Sequence, residues 1–134
     1  MSIFTMVMAV RDYECDMQGI VNNAVYQNYL EHARHEFLKA HGLDFVQLTA
    51  RQINVVVVRA ELDYRRSLRS GDVFRVTVET ERESRLRLTF VQRIVHAESG
   101  QTMLDARLVT TAVNPKGRPY FPKELEVLLE RLRG

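Results

Sequence analysis

One helical run and a long β-rich remainder limit what this chain can fold into more than any other feature. Between Asn22 and His41 the apolar residues Tyr26, Leu30, Ala33, Phe37 and Ala40 recur at steps of four, three, four and three. That spacing is the period of an α-helix with one apolar face. Asn22 or Asn23 suits its N-cap and Gly42 its stop, for a length of roughly 28 Å. The rest reads mostly as strand. Residues 3–13 form a first strand, and "INVVVVRAELDY" (residues 53–64) is expected as a buried one. In "VFRVTVETE", Phe74, Val76 and Val78 alternate with Arg75, Thr77 and Glu79, and "LRLTFVQRIV" alternates in the same way from Leu86. "MLDARLVTTAV" runs to Val113, and "KELEVLLERL" is a short amphipathic C-terminal helix.

A sheet with one apolar face has to cover it, and only one long helix is available. The last three strands have short connections and are expected to pair antiparallel. The fold class is therefore α+β: a curved five-stranded antiparallel sheet wrapped around one long helix, in a single domain spanning residues 1–134. No repeat, low-complexity tract or linker divides the chain.

Composition narrows the function classes. A formal charge of +2 is too small to point to nucleic acid. No apolar run reaches the roughly 20 residues that span a bilayer. "MSIFTMVMAV" is apolar, but no basic residues precede it and it runs straight into "RDYECD", so it reads as strand rather than signal peptide. Cys15 is the only cysteine. It has no intrachain disulfide partner and fits a cytoplasmic location.

Few residues look chemically active. Asp16 stands alone just ahead of the helix, where it is either a turn former or an acid placed for use. The helix start beside it offers N–H groups without intrahelical partners, and the dipole adds partial positive charge there. The N–H groups of residues 23–25 are thus a candidate oxyanion hole. His35 and His41 lie six residues apart, about 600° around a helix, so they share no face. His32 and His35 are close but lack further metal ligands, and no metal site is expected. Cys15 should point away from Asp16 in an extended segment. The arginines of "RAELDYRRSLRSGDVFR" form either a solvated basic face or, at Arg65, Arg66 and Arg69, a site for phosphates or an acidic carrier protein.

The helix entrance "DMQGIVNNAVY", with Asp16, Gly19, Ile20, Val21 and Tyr26, then Glu31, Ala33 and Arg34, resembles the hot-dog fold thioesterases of the 4-hydroxybenzoyl-CoA thioesterase-like family. "GIVNNAVY", "RHEFL" and "LRSG" look especially like the plant acyl-lipid (acyl-ACP) thioesterases and their bacterial relatives. The resemblance covers nearly the whole chain and implies hydrolysis of acyl-CoA or acyl carrier protein thioesters, polyketide-derived acyl groups included. Asp16 falls on the family's catalytic carboxylate, as nucleophile or general base. Gly19, Asn22, Asn23, Ala24 and Tyr26 fall in its oxyanion and substrate-binding segment, with the Asn23 N–H on the thioester oxygen. Some relatives carry a histidine at that position, and this chain has none there. No cofactor is implied. The family joins subunits edge to edge and builds its sites between them, so a homodimer or homotetramer is expected. The alternatives are an acyl-CoA-binding hot-dog domain without catalysis, against which Asp16 argues, and a dehydratase, which needs an active-site histidine.

Overall fold

The computed structural model describes residues 3–133. Its centre is helix α1, Asn23–Ala40. Asn22 caps it, the Asn22 side chain accepting the Ala24 N–H. At the other end Leu43 N–H reaches Leu38 O and Gly42 N–H reaches Lys39 O, with Gly42 at φ +80°. This paired closure needs the left-handed conformation that glycine adopts without strain. Tyr26, Tyr29, Leu30, Ala33, Phe37 and Leu38 are buried. Ala40, expected on the apolar face, is exposed, because the helix ends there and the chain turns away.

The strands are β1 (Phe4–Ala9), β2 (Asn54–Tyr64), β3 (Val73–Arg82), β4 (Arg87–His96) and β5 (Thr102–Val113). They form one antiparallel sheet in the order β1-β3-β4-β5-β2. A two-residue strand, β6 (Pro119–Tyr120), adds to β5. Phe74, Val76 and Val78 from β3 and Leu88, Phe90 and Ile94 from β4 bury their side chains in one core with α1. A polar side chain, Gln92, sits within that layer. Gln92 is almost fully buried; its Nε2 donates to Leu30 O at 3.0 Å and its Oε1 accepts Arg34 Nη1 at 3.1 Å. Both halves of the amide are satisfied, so its burial costs little and it fixes the helix on β4. The C-terminal helix α3 (Lys123–Arg133) buries Leu125, Leu128 and Leu129.

Three expectations need correction. The first strand is shorter than residues 3–13: β1 stops at Ala9, and Asp12–Glu14 form a 3₁₀ turn. A short helix, α2 (Phe45–Ala50), follows α1 where no element was expected; Asp44 caps it by accepting the Val46 N–H. Most consequentially, β2 is not a buried strand. It pairs only with β5, and Val56, Val57 and Val58 are 40%, 46% and 45% exposed. A continuous valine run signals burial on both faces, but here one edge and much of the strand are open within the protomer. The pairing with β5 also slips between Val57 and Arg59, leaving Val58 as the extra residue of a bulge.

Leu30 is fully buried at the middle of the helix–sheet layer. Leu30→Ala is expected to lower unfolding stability by about 2–5 kcal/mol, read as a shifted denaturant midpoint with unchanged slope. A loss under 1 kcal/mol would show that this layer is not the central packing contact.

Candidate active site

Asp16 sits at the start of a tight hairpin turn. Gly19 N–H donates to Asp16 O and Asp16 N–H donates to Ile20 O, with Gly19 at φ +79°. Cys15 bridges to Val21 across the hairpin. Gln18 N–H donates to Asp16 Oδ1 at 2.8 Å. Asp16 is thus a turn residue of the Asx type, and the turn holds its exposed carboxylate in place.

The hairpin is locked to the helix start from two sides. On one side, Asn22 N–H donates to Glu14 O, and Glu14 Oε1 accepts both the Arg11 N–H and the Tyr29 hydroxyl, each at 2.8 Å. Burial first, and then this bond to Glu14, hold the Tyr29 hydroxyl well above the ordinary tyrosine range, so it remains a donor. On the other side, Val21 N–H donates to Leu68 O, Leu68 N–H donates to the buried Tyr26 hydroxyl at 2.9 Å, and Ile20 bridges to Arg69. The Ser70 hydroxyl donates to Asp12 Oδ1. Asp16 and the first turn of α1 are thereby brought to one place.

The expected oxyanion donors divide. Ala24 N–H is taken by Asn22 Oδ1, and Val25 N–H by Asn22 O at 2.9 Å. Neither is free for substrate, which corrects the expectation for residues 24 and 25. The Asn23 N–H has no acceptor among the described residues, at the positive end of the helix dipole. Asn22 shapes the site as a cap and Gly19 as the turn residue. Tyr26 lies beneath the site, its ring buried and its hydroxyl committed to Leu68, so it positions the loop rather than facing solvent. Tyr64 packs edge-on against Tyr26, with centroids 5.5 Å apart, and donates to Asn23 O at 3.3 Å.

The remaining candidates separate as clearly. Cys15 packs against the core. Desolvation, and then the charges of Asp12, Asp16 and Glu14, push its thiol up, which disfavours the thiolate a nucleophile requires. Arg65 is held by Asp105 at 2.6 Å, and Asp105 also accepts Arg93 at 2.8 Å. Arg66 and Arg69 are exposed. Of the three arginines, Arg65 alone has a carboxylate partner for its side chain among the described residues. Among the described residues, no group of three or more His, Cys, Asp or Glu is placed to hold a metal ion, and no helix is long and apolar enough to cross a membrane.

Two grooves of the protomer have linings that do not include Asp16. One, of about 320 Å³, runs between α1 and the edge strand, lined by Glu31, Arg34, His35, Leu38, Val55 and Val57 among others. Another, of about 270 Å³, lies between the far end of α1, β1 and α3. Asp16 and Asn23 are both exposed, and neither lines either of these two grooves.

Comparison with known proteins identifies the family. A family model described as the thioesterase-like superfamily matches residues 10–131. The chain belongs to the thioesterase-like superfamily. Within that superfamily it is 34% identical, over 112 residues, to the chloroplastic acyl-acyl carrier protein thioesterase ATL3 of Arabidopsis thaliana, a match covering 84% of this chain and 59% of that protein. The chain thus spans under two-thirds of that relative's length. It is 30% identical to the acyl-CoA thioester hydrolase YbgC of Escherichia coli over 92% of this chain and 93% of that one. A crystal structure from Aquifex aeolicus superposes with a TM-score of 0.88 at 31% identity, covering 94% and 98% of the two chains. The 1,4-dihydroxy-2-naphthoyl-CoA thioesterase of Synechocystis superposes at 0.91 over 99% of each chain, at 19% identity, which speaks to fold alone. The superfamily's hot-dog fold is thus the fold of this chain.

Sequence reading missed Glu14, Tyr29 and Leu68, which hold the site together. Leu68 opens the "LRSG" stretch, but nothing local marks its backbone as the partner of Tyr26. Tyr29 follows Tyr26 at helical spacing and so shares its face, a usable signal.

Asn22→Ala is expected to cost about 1 kcal/mol and to release the Ala24 N–H. Amide exchange at Ala24 should speed up while the strands keep their protection. Unchanged exchange there would show that the cap does not order the helix start.

Proposed function

We propose that the protein is an acyl thioester hydrolase acting on acyl-CoA or acyl carrier protein thioesters. The observation that carries the reading is the pairing of an exposed, turn-held carboxylate at Asp16 with an uncommitted N–H at Asn23, on one end of α1. The thioester carbonyl oxygen accepts the Asn23 N–H, so the charge growing on it in the transition state meets a preorganised donor. Asp16 removes a proton from water as the water oxygen attacks the carbonyl carbon. The C–S bond then breaks, the thiolate takes up that proton, and the free acid departs. Direct attack by Asp16, giving a mixed anhydride that water opens, uses the same placement.

The names of the relatives support the substrate class, and acyl chains of fatty acid or polyketide origin both fall within it. The lone thiol of Cys15 suits a reducing cytoplasm. The working unit is proposed to be a homodimer, or a homotetramer made of two such dimers. The open edge of β2 supports this, since a long apolar edge strand left bare invites uncontrolled pairing and a second copy covers it symmetrically. In a hot-dog domain that only binds acyl-CoA, the Asp16 carboxylate would serve only the turn it forms with Gln18.

Asp16→Asn keeps the side-chain size and removes the charge. With folding intact, kcat for acyl-CoA hydrolysis is expected to fall by at least ~10²-fold. Turnover near that of the unmodified protein would remove Asp16 from the mechanism.

Neutralising Arg66 and Arg69 together is expected to raise KM and flatten its dependence on salt. Arg65→Gln is expected to act mainly on the outer face, through the lost Asp105 pair. Equal KM values at low salt for the double variant and the unmodified protein would return these arginines to a solvated surface role.

A further inference from the structure

The groove between α1 and β2 has a polar end that the site at Asp16 does not use. Arg34 reaches it from α1, beside Glu31 and His35, with Val55, Val57, Leu38 and Phe90 forming apolar walls. The Arg34 guanidinium lies 6.0 Å from the Phe90 ring centroid and spends one Nη1 bond on Gln92. Among the described residues it has no carboxylate within ion-pair distance. Every fully buried side-chain nitrogen or oxygen among those residues has a hydrogen-bond partner. The remaining Arg34 donors are therefore ones that can be reached from outside. Burial draws the Arg34 pKa below its ordinary range, with nearby Glu31 opposing. A half-desolvated cation of this kind is stabilised by an oxygen acceptor.

The location of this groove in an assembly follows from direction. The end of β2 lies at the start of α1, where Tyr64 donates to Asn23 O. The beginning of β2 lies farther along the helix, where Val55 and Val57 face Arg34 and Leu38. Helix and strand thus run in opposite senses. When two β2 edges pair antiparallel about a twofold axis, the Tyr64 end of one chain lies beside the Asn54 end of the other. Asp16 and Asn23 of one protomer then come next to the groove of its partner.

Resting on the thioesterase reading above and on the family's habit of building its sites between subunits, we propose that Arg34 of one protomer binds an oxygen carried on the acyl chain of a thioester held at Asp16 and Asn23 of the other, where that chain runs into the groove. The favoured substrates are then oxygenated acyl thioesters, bearing a hydroxyl, carbonyl or carboxylate, over plain saturated chains of equal length. Arg34 is a specificity-determining residue acting in trans.

Two measurements test this on the full-length protein. The first compares hydrolysis of acyl-CoAs of one chain length, unsubstituted, hydroxylated and ω-carboxylated. The unmodified protein is expected to favour at least one oxygenated substrate by ~10-fold or more in kcat/KM, the scale of one hydrogen bond to a charged group. Arg34→Met should level the series, and Arg34→Lys, which keeps the charge, should level it in part. The second mixes Asp16→Asn chains with Arg34→Met chains into dimers and assays the preferred substrate. If Arg34 acts in trans, one of the two sites in each mixed dimer pairs an intact Asp16 with an intact Arg34, and about half the unmodified activity returns. If it acts in cis, both sites stay impaired. Equal rates across the substrate series, or mixed dimers no more active than their parents, overturn the inference while leaving thioesterase activity standing. Failure of the unmodified protein to hydrolyse any of the thioesters overturns the thioesterase reading itself, and this inference with it.

Discussion

The contact between α1 and the concave face of the sheet is the constraint on which everything else rests. One helix of 18 residues has to cover strands β3, β4 and β5, and it does so with Leu30, Ala33 and Phe37 against Phe74, Val76 and Phe90. Ala33 lets the backbone come close, and Phe37 meets Phe90 edge-on at 6.2 Å. Gln92, inserted in that layer, ties the helix carbonyl at Leu30 to the sheet and so resists sliding along the helix axis. Once the helix is fixed, its first turn is fixed as well, and a free N–H at Asn23 acquires a defined direction. The direction of that N–H at one end of the helix is set by packing at its middle.

The second dependence is the clasp that carries Asp16 to that first turn. Glu14 is the pivotal side chain, since a single oxygen accepts from Arg11 and from Tyr29 while its own backbone carbonyl accepts from Asn22. Leu68, with no exposed surface, clamps the opposite side through its backbone. The site is thus held by a chain segment some forty residues away in sequence, which is why the catalytic-looking stretch alone does not explain its own geometry.

What the sequence made readable was whatever is decided locally. The helix, its Asn22 cap and its Gly42 closure follow from spacing and side-chain type within a few residues. The alternating faces of β3 and β4 follow equally, and the α+β class comes from the shortage of helices to cover the sheet. Asp16 stood out because an acid beside a helix start is locally unusual. The misreadings came from tertiary context at β2 and from local detail at the helix starts. Four consecutive valines look the same in a buried central strand and in an edge that meets another chain, so the exposure of β2 was not visible. The loss of Ala24 and Val25 as donors depends on how Asn22 turns both its side chain and its carbonyl toward them. The short helix α2 lacks the length for a periodic signal, although Asp44 marked its start.

The bulge at Val58 sets the two halves of β2 in opposite phase. Ahead of it Val55 and Val57 lie across from Ala112 and Thr110; beyond it Ala60 and Leu62 lie across from Leu108 and Ala106. Residues of the same side thus change from odd to even numbers at one point. With strict alternation, Arg59, Glu61 and Asp63 would turn toward the helix, placing three charges in an apolar layer. The extra valine instead sends them outward, where Glu61 lies opposite Arg107 and Arg59 pairs with Glu61 at 3.0 Å. The strand therefore has a frame, much as a coding sequence does. The gain or loss of a single residue within it is not a local change of length but a reassignment of every side chain downstream to the opposite environment.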